Sequence, residues 1–532
     1  MPRPRLPIGI QDFQTLRESG CYYVDKTPLI HQLVRQGRYY FLSRPRRFGK
    51  SLLLDTLREL FAGNEPLFRG LAIHGKWDWT NKHPIVHLSF GGKNIELDDL
   101  ETDVLAQLGI IERNAGLAPP DKAMPGPARL RDLLDRLHGK TGRRVVVLVD
   151  EYDKPILDAL DKPEIAEANR EYLRGFYGVI KDCARLVRFV FVTGISMFTR
   201  VSLFSGLNNL ENISLDPAFA TICGYTDRDL DAVFAAELDG LDRDEVRRWY
   251  NGYHWRGEEK LYNPHDILLL FRSREFEPHW FETGTPKMLY RQIVRERRNP
   301  MELERLAADS KLLSSFDVSD IDLRALMFQA GYLTIAREER IGAARLFALA
   351  FPNLEVRLSF SKGLLAHAGQ DQVEVIRSGN ALLELLAAND FAGFGERLKS
   401  YLAGVPHQWY DSSPIDRFEA HYASMLYLCF RAVGADLAVE DASSHGRADM
   451  VVFQDGQVFV LEFKMVENGA TTESTLNRAI SQMRERGYAE KYRSRGEPIH
   501  LVAAAFGQKE RNLLAVRHAQ SEIGNGYGGN AC

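Results

Sequence analysis

One stretch near the N-terminus narrows the choice of fold more than any other. An apolar run, RYYFLS at 38–43, breaks into the loop RPRRFGKS at 44–51, and KSLLLDTLRELFAG at 50–63 then resumes with apolar residues at helical spacing. A strand that ends in Gly-Lys-Ser and feeds a helix suits phosphate binding. Backbone N–H groups wrap phosphate oxygens, a lysine reaches the β/γ-phosphates, and a hydroxyl ligates Mg²⁺. Gly49, Lys50 and Ser51 fit this pattern, whereas Arg44 stands where its first glycine belongs. Arg46 and Arg47 either face phosphate or form a solvated basic loop.

A second half-motif follows in the expected order. VVVLVDEYD is an apolar strand ending in Asp150, a candidate Mg²⁺ ligand, and Glu151, a candidate water-polarising carboxylate. The runs PIVHLSF (84–90), VVVLV (145–149) and LVRFVFV (186–192) suit strands buried on both faces and are separated by helical stretches, so the expected class is α/β with a parallel sheet. The last of these ends in Thr193, placed to sense a γ-phosphate, with Arg200 following.

A length of 532 residues predicts several domains, roughly one per 100–200 residues. Net charge is −4, so nucleic-acid binding needs a local basic surface rather than a global field. Five scattered cysteines (Cys21, Cys183, Cys223, Cys429, Cys532) argue against a disulfide framework or a structural zinc site and favour a reducing cytoplasm. Neither a signal peptide nor a membrane span is expected.

The expected organisation is a nucleotide-binding core at 1–226, a helical lid at 227–318, and a winged-helix-like and helical linker region at 319–410. A further α/β unit at 411–523 and a tail at 524–532 complete it. Within 319–360 a helix, DIDLRALMFQAG, feeds the apolar runs YLTIA and RLFALAF, as in a winged helix. The last unit reads as a helix (416–433), two strands (447–453 and 458–464) and a helix (474–492).

Those two strands carry the most explicit chemistry. Asp455-Gly456 signals a two-residue type I′ hairpin turn, and the resulting register puts Asp449 opposite Glu462, with Lys464 on the same face. Directly opposed carboxylates repel unless a cation lies between them, and all-carboxylate oxygen donors suit Mg²⁺ or Mn²⁺. Replacing either carboxylate should therefore leave the metal-free fold unharmed or slightly more stable. The lysine can position or deprotonate water, or neutralise charge on a reacting phosphate. The alternative for such a hairpin is an ordinary surface ion-pair cluster.

The segments YYVDKTPLI (22–30), YFLSRPRRFGKSLLLDTL (40–57), VVVLVDEYDKPI (145–156), WYNGYHW (249–255) and YNP (262–264) resemble the bacterial AAA-ATPase-like family, whose members commonly end in a PD-(D/E)XK nuclease-like domain. The resemblance resumes at QAGYLTI, FPNLEV and the C-terminal block, and arginine at 44 is what the family shows. It implies ATP binding through Lys50, Ser51 and Asp150. Gly446, Arg447 and Asp449 followed by Glu462 and Lys464 resemble the PD-(D/E)XK superfamily. By that resemblance Asp449 and Glu462 are metal ligands, Lys464 is catalytic, Glu419 assists from the preceding helix, and Gln482 with Tyr488 lines the site from the following one.

The expected function is an ATP-regulated, metal-dependent nuclease acting on DNA, with RNA not excluded, in a defence or mobile-element setting. A homo-oligomer is compatible with it. The alternative is a nucleotide-dependent regulatory or nucleic-acid-binding switch with a silent nuclease-like domain.

Overall fold

The apolar runs become strands of one parallel sheet. The first sheet consists of β1 (Tyr39–Ser43), β2 (Ile85–Ser89), β3 (Val145–Asp150), β4 (Val187–Gly194) and β5 (Glu211–Asn212). Its order is β2-β3-β4-β1-β5 with every pair parallel, and every residue of β3 is buried. The structure, a computed structural model, describes residues 3–92, 97–120, 122–197, 207, 209–279, 287–296, 298–313, 321–342, 344–405, 415–443, 446–467 and 469–521. The expected strands all form. Arg200 and the 524–532 tail lie outside the described residues.

The helix Lys50–Ala62 starts at Gly49 and stops at Gly63, both in the left-handed region (φ 89° and 75°). It buries Leu53, Leu54, Leu57, Leu60 and Phe61 against the sheet, and each fully buried side chain of this size contributes about 1.5–3 kcal/mol. The chain divides into two units, residues 1–289 with 306–355 and residues 290–305 with 356–532.

The first unit also holds a small antiparallel pair, β6 (Asn251–Tyr253) and β7 (Leu261–Tyr262). Gly252 in β6 has φ 134°, and a Cβ there would lie 1.8 Å from the Pro352 carbonyl oxygen, so only glycine fits. The winged-helix-like segment forms as the helix Leu323–Ala330 and the sheet β8 (Ala307–Asp309), β9 (Thr334–Ile341) and β10 (Ala344–Ala350), in the order β8-β10-β9.

The second unit is built on β11 (Asp436–Ser443), β12 (Gly446–Gln454), β13 (Gln457–Met465), β14 (Ile499–Gly507) and β15 (Asn512–Gln520), paired in that order. Only β13 and β14 are parallel, joined by a crossover that contains the helix Thr472–Glu485. The expectation of one winged-helix-like and linker region over 319–410 is corrected here, because the unit boundary falls between Glu355 and Val356. The helices Gln372–Ala387 and Phe391–Ala403 bury Leu382, Leu386, Phe394 and Leu398 and belong to the second unit as part of its body. Residues 290–305 likewise leave the expected lid, since Glu304 pairs with Arg431 at 2.7 Å inside the second unit.

The expected helix over 474–492 ends at Glu485. Gly487 takes φ 57°, and a separate short turn, Glu490–Arg495, follows, so Tyr488 lies beyond the helix rather than within it. Among the described residues no helix is long and apolar enough to cross a membrane, and none of the described cysteines forms a disulfide.

Candidate functional site

In the first unit, the loop after β1 curls around its own lysine. Arg47 and Gly49 adopt φ 64° and 89°, two left-handed positions that make the loop turn sharply before the helix. Nothing lies within 4 Å of a Cβ placed on Gly49, so the loop is open there. Lys50 is 7 % exposed and donates to the carbonyls of Arg44 and Pro45 at 3.0 and 2.9 Å. Burial pulls its pKa down, while Asp150 and then Asp153 counter that pull.

Above the loop lies a cavity of about 440 Å³, a size typical of small-molecule sites. Arg46, Arg47, Gly49, Lys50 and Ser51 all reach its wall, joined by Tyr22 and Lys26 from the N-terminal segment. The volume, the open glycine turn and the buried ammonium fit a nucleoside triphosphate.

Arg44 does something the general glycine could not. Its fully buried guanidinium donates to the carbonyls of Ser43, Ser214 and Ala220 at 2.8, 2.9 and 3.2 Å and stacks on Trp255 at 4.2 Å. Burial holds its pKa down to about 10. Phe48 packs edge-on against Tyr253 and Trp255. Asn263 caps the helix Pro264–Ser273 and reaches the Arg46 carbonyl at 3.5 Å, and Arg47 contacts His265 at 2.9 Å. His265 is held neutral, its pKa pushed down to about 4 by burial first and Arg47 second. The two aromatic motifs therefore brace the loop from positions some 200 residues away.

The carboxylates at the end of β3 divide their tasks. Asp150 is 5 % exposed and accepts the Glu151 amide at 3.0 Å, without reaching the cavity wall. Glu151 does reach that wall, with φ 49° and a pKa raised by burial and then by Asp150. Sequence reasoning missed Asp153, which is 1 % exposed and also reaches the wall. It accepts the amides of Ile195 and Ser196 and the Ser196 hydroxyl at 3.0, 2.6 and 2.6 Å, clamping the exit of β4. The VDEYD repeat of acids was the available signal. Thr193 corrects an expectation. Its hydroxyl is fully buried and donates to the Leu42 carbonyl at 2.8 Å inside the sheet, off the cavity wall, because β4 continues through Gly194.

In the second unit, Asp455 and Gly456 take φ 47° and 70°, the type I′ signature, and pairs from Gln454–Gln457 to Met450–Leu461 keep the predicted register. The ladder stops there, one pair short of the expected Asp449–Glu462 pairing. Asp449 instead accepts the Phe463 amide at 2.9 Å with its own carboxylate, replacing a backbone acceptor. Glu462 is 2 % exposed, and its Oε1 receives Lys464 Nζ at 2.9 Å and Gln482 Nε2 at 2.7 Å. Gln482 also reaches the Tyr488 hydroxyl at 3.3 Å. Asp449, Glu462, Lys464, Gln482 and Tyr488 thus come together. Glu419 lies on the helix Ile415–Ala432, and its side chain, like that of Arg447, is outside the described residues.

Among the described residues no three His, Cys, Asp or Glu side chains gather as one metal-holding group. The described donors for a cation are Asp449 and Glu462. Their hard carboxylate oxygens fit Mg²⁺ or Mn²⁺ rather than zinc.

Comparison with known proteins agrees with both halves. Residues 7–204 match the predicted AAA-ATPase family, and residues 417–515 match the PD-(D/E)XK nuclease superfamily. An uncharacterized protein in the vnfD 5′ region of Azotobacter chroococcum mcd 1 is 51 % identical over 516 residues, covering 97 % of this chain and 98 % of that protein. No solved structure matches the chain. A braced phosphate loop in one unit and a carboxylate–lysine hairpin in the other are what these two matches require, and the chain belongs to the AAA-ATPase-like family with a C-terminal PD-(D/E)XK nuclease-like domain.

Proposed function

We propose that this protein is an ATP-binding nuclease that hydrolyses phosphodiester bonds of DNA at its C-terminal hairpin, with the N-terminal unit regulating that activity. The observation that carries the reading is the Glu462 cluster. A carboxylate 2 % exposed, bonded to Lys464 and Gln482 and flanked by Asp449, is costly to assemble for stability alone. In this reading Asp449 and Glu462 hold a divalent cation, which when bound supplies Lewis acidity toward the scissile phosphate. Gln482 orients Glu462 through its amide. Lys464, 26 % exposed, places a cation where negative charge grows on the phosphate or on the attacking water.

In the first unit, Lys50 and Ser51 would hold the triphosphate, Asp150, set back from the cavity wall, would support its metal, and Glu151, on the wall, would face the water.

The test is plasmid cleavage with Mg²⁺ or Mn²⁺, with and without ATP, by the wild type and by Lys464→Ala. Metal-dependent cleavage by the wild type that falls about 10²–10³-fold in the variant, the loss typical of removing one charge-stabilising group, supports the reading. Equal cleavage by both proteins assigns any activity elsewhere. Absence of cleavage of DNA and RNA by the wild type leaves the switch with a silent hairpin as the better description.

A further inference from the structure

One place in the first unit does set like charges directly against each other. In the β9–β10 hairpin Arg340 and Arg345 are direct cross-strand partners. Such a pair brings the Cβ atoms within about 5.5 Å and destabilises the ladder unless an anion intervenes. Glu338, two residues from Arg340 and on the same face, is the neighbouring anion. It is already shared, accepting Arg256 Nε at 3.1 Å and Arg345 Nε at 2.9 Å. Arg340 makes no ion pair among the described residues. Three guanidinium groups therefore face one carboxylate, while Arg337 and Glu339 pair on the other face of the hairpin.

The pair borders an open surface hollow lined by Ser310, Arg340, Gly342 and Arg345. Beyond it the tip presents Ile341 at 61 % exposure, an apolar surface that suits a sugar edge. The whole chain carries a net charge of −4, so long-range attraction to a polyanion is weak and short-range basic sites must supply it.

We infer that the Arg340–Arg345 pair is a binding site for a backbone phosphate of duplex nucleic acid, placing the β9–β10 hairpin against the DNA on which the enzyme acts. The inference rests on the proposed nuclease reading for its ligand, and the observations behind it do not involve the Glu462 cluster. Guanidinium groups bind phosphate through paired, charge-assisted hydrogen bonds, and a bound phosphate turns the repulsion between the two arginines into attraction.

The experiment measures fluorescence anisotropy of labelled duplexes with full-length protein in metal-free buffer, where no cleavage occurs, across a range of salt concentrations. The proteins are the wild type, Arg340→Gln, Arg340→Glu, and Arg228→Gln as an exposed control remote in sequence. Arg340→Gln should weaken duplex DNA binding about three- to tenfold and reduce the slope of log K against log salt by about 1, the mark of one lost phosphate contact. Arg340→Glu should lose at least as much. Arg228→Gln should match the wild type.

Thermal stability supplies the second readout. Both Arg340 variants should melt at or above the wild-type temperature, since they remove a repulsion. Equal losses on DNA and RNA duplexes assign the contact to backbone phosphate alone, and a larger loss on DNA adds a groove-shaped component. Unchanged affinity and slope in Arg340→Gln, or weaker binding accompanied by a lowered melting temperature, overturns the inference. If the wild type cleaves DNA while Arg340→Gln binds as it does, only this inference falls. If the wild type neither binds nor cleaves, the nuclease reading falls with it.

Discussion

Lys50 and Lys464 are both lysines placed beside carboxylates, and the protein keeps them in opposite ways. Lys50 is 7 % exposed and spends its ammonium on two carbonyls of its own loop, with Asp150 and Asp153 acting as more distant charges. Lys464 is 26 % exposed and sits directly on Glu462 at 2.9 Å. The first arrangement stores a cation for an anionic ligand that brings its own charge. The second neutralises a buried carboxylate locally, and in the proposed reading it serves chemistry at that carboxylate.

The supports differ as well. The Lys50 loop is braced by Trp255 from the loop after β6, by Asn263 just after β7 and by His265 in the helix that follows. The Lys464 hairpin is held by the backbone ladder of β12 and β13 and by one glutamine. A site braced by remote side chains should be fragile to changes far from the ligand. A site on a sheet should tolerate them.

The largest effect expected from this contrast lies at Arg44. Arg44→Gly restores the general phosphate-loop pattern, and by motif alone it looks harmless. The structure says otherwise: it strands the buried carbonyls of Ser214 and Ala220 and removes the face that Trp255 covers. We expect a loss of about 3 kcal/mol or more in the first unit, since each stranded buried polar group costs about 1–3 kcal/mol. Denaturant unfolding followed by tryptophan fluorescence reads it. A stability equal to the wild type would show that the loop does not depend on its distant braces.

Next comes the division of labour around Lys50. Lys50→Ala should weaken ATP binding about tenfold or more by calorimetry, because a charge-assisted contact to phosphate is worth roughly 1.5–3 kcal/mol. Glu151→Gln should bind ATP as the wild type does and turn it over more slowly. Glu151 must be ionised to polarise water, and burial together with Asp150 raises its pKa. Wild-type turnover should therefore fall away at a higher pH on its acid limb than an ordinary glutamate near 4.5 would give. Hydrolysis by Glu151→Gln at the wild-type rate would remove Glu151 from that role.

How much of this was legible in the sequence follows from the same contrast. The register of the nuclease-like hairpin could be derived from Asp455-Gly456 alone as far as Met450–Leu461, because a type I′ turn fixes the pairs that follow it and all the determinants lie within about twenty residues. β1 to β4 of the first sheet were equally visible as apolar runs, whereas β5, the two polar residues Glu211 and Asn212, was not. The role of Arg44 was not visible, since its partners are 170 and 176 residues away and nothing local marks an arginine as buried. Thr193 misled for a related reason. A polar residue at the end of an apolar run reads as exposed to ligand, but β4 runs one residue further and its neighbour Leu42 supplies an acceptor. The helices at 372–403 look like a linker in the sequence because their apolar faces do not reveal which sheet they cover.

The smallest effect concerns Asp449, where the structure reverses an expectation. Opposed carboxylates would repel, so removing one would be neutral or stabilising in the absence of metal. But the ladder stops at Met450–Leu461, and the Asp449 carboxylate serves as hydrogen-bond acceptor for the Phe463 amide at 2.9 Å. Asp449→Ala takes that acceptor away and should cost about 1–2 kcal/mol, toward the low end because the hydrogen bond is only partly buried. Asp449→Asn keeps a carbonyl oxygen at the same position and should recover most of the loss while still weakening divalent-cation binding, since it removes the negative charge. Chemical denaturation in EDTA measures the first quantity and Mn²⁺ titration calorimetry the second. If both variants are as stable as the wild type, the amide contact carries no weight and the hairpin is held by its backbone ladder alone. If Asp449→Asn binds Mn²⁺ as tightly as the wild type, Asp449 is a hydrogen-bond acceptor of the sheet rather than a metal ligand.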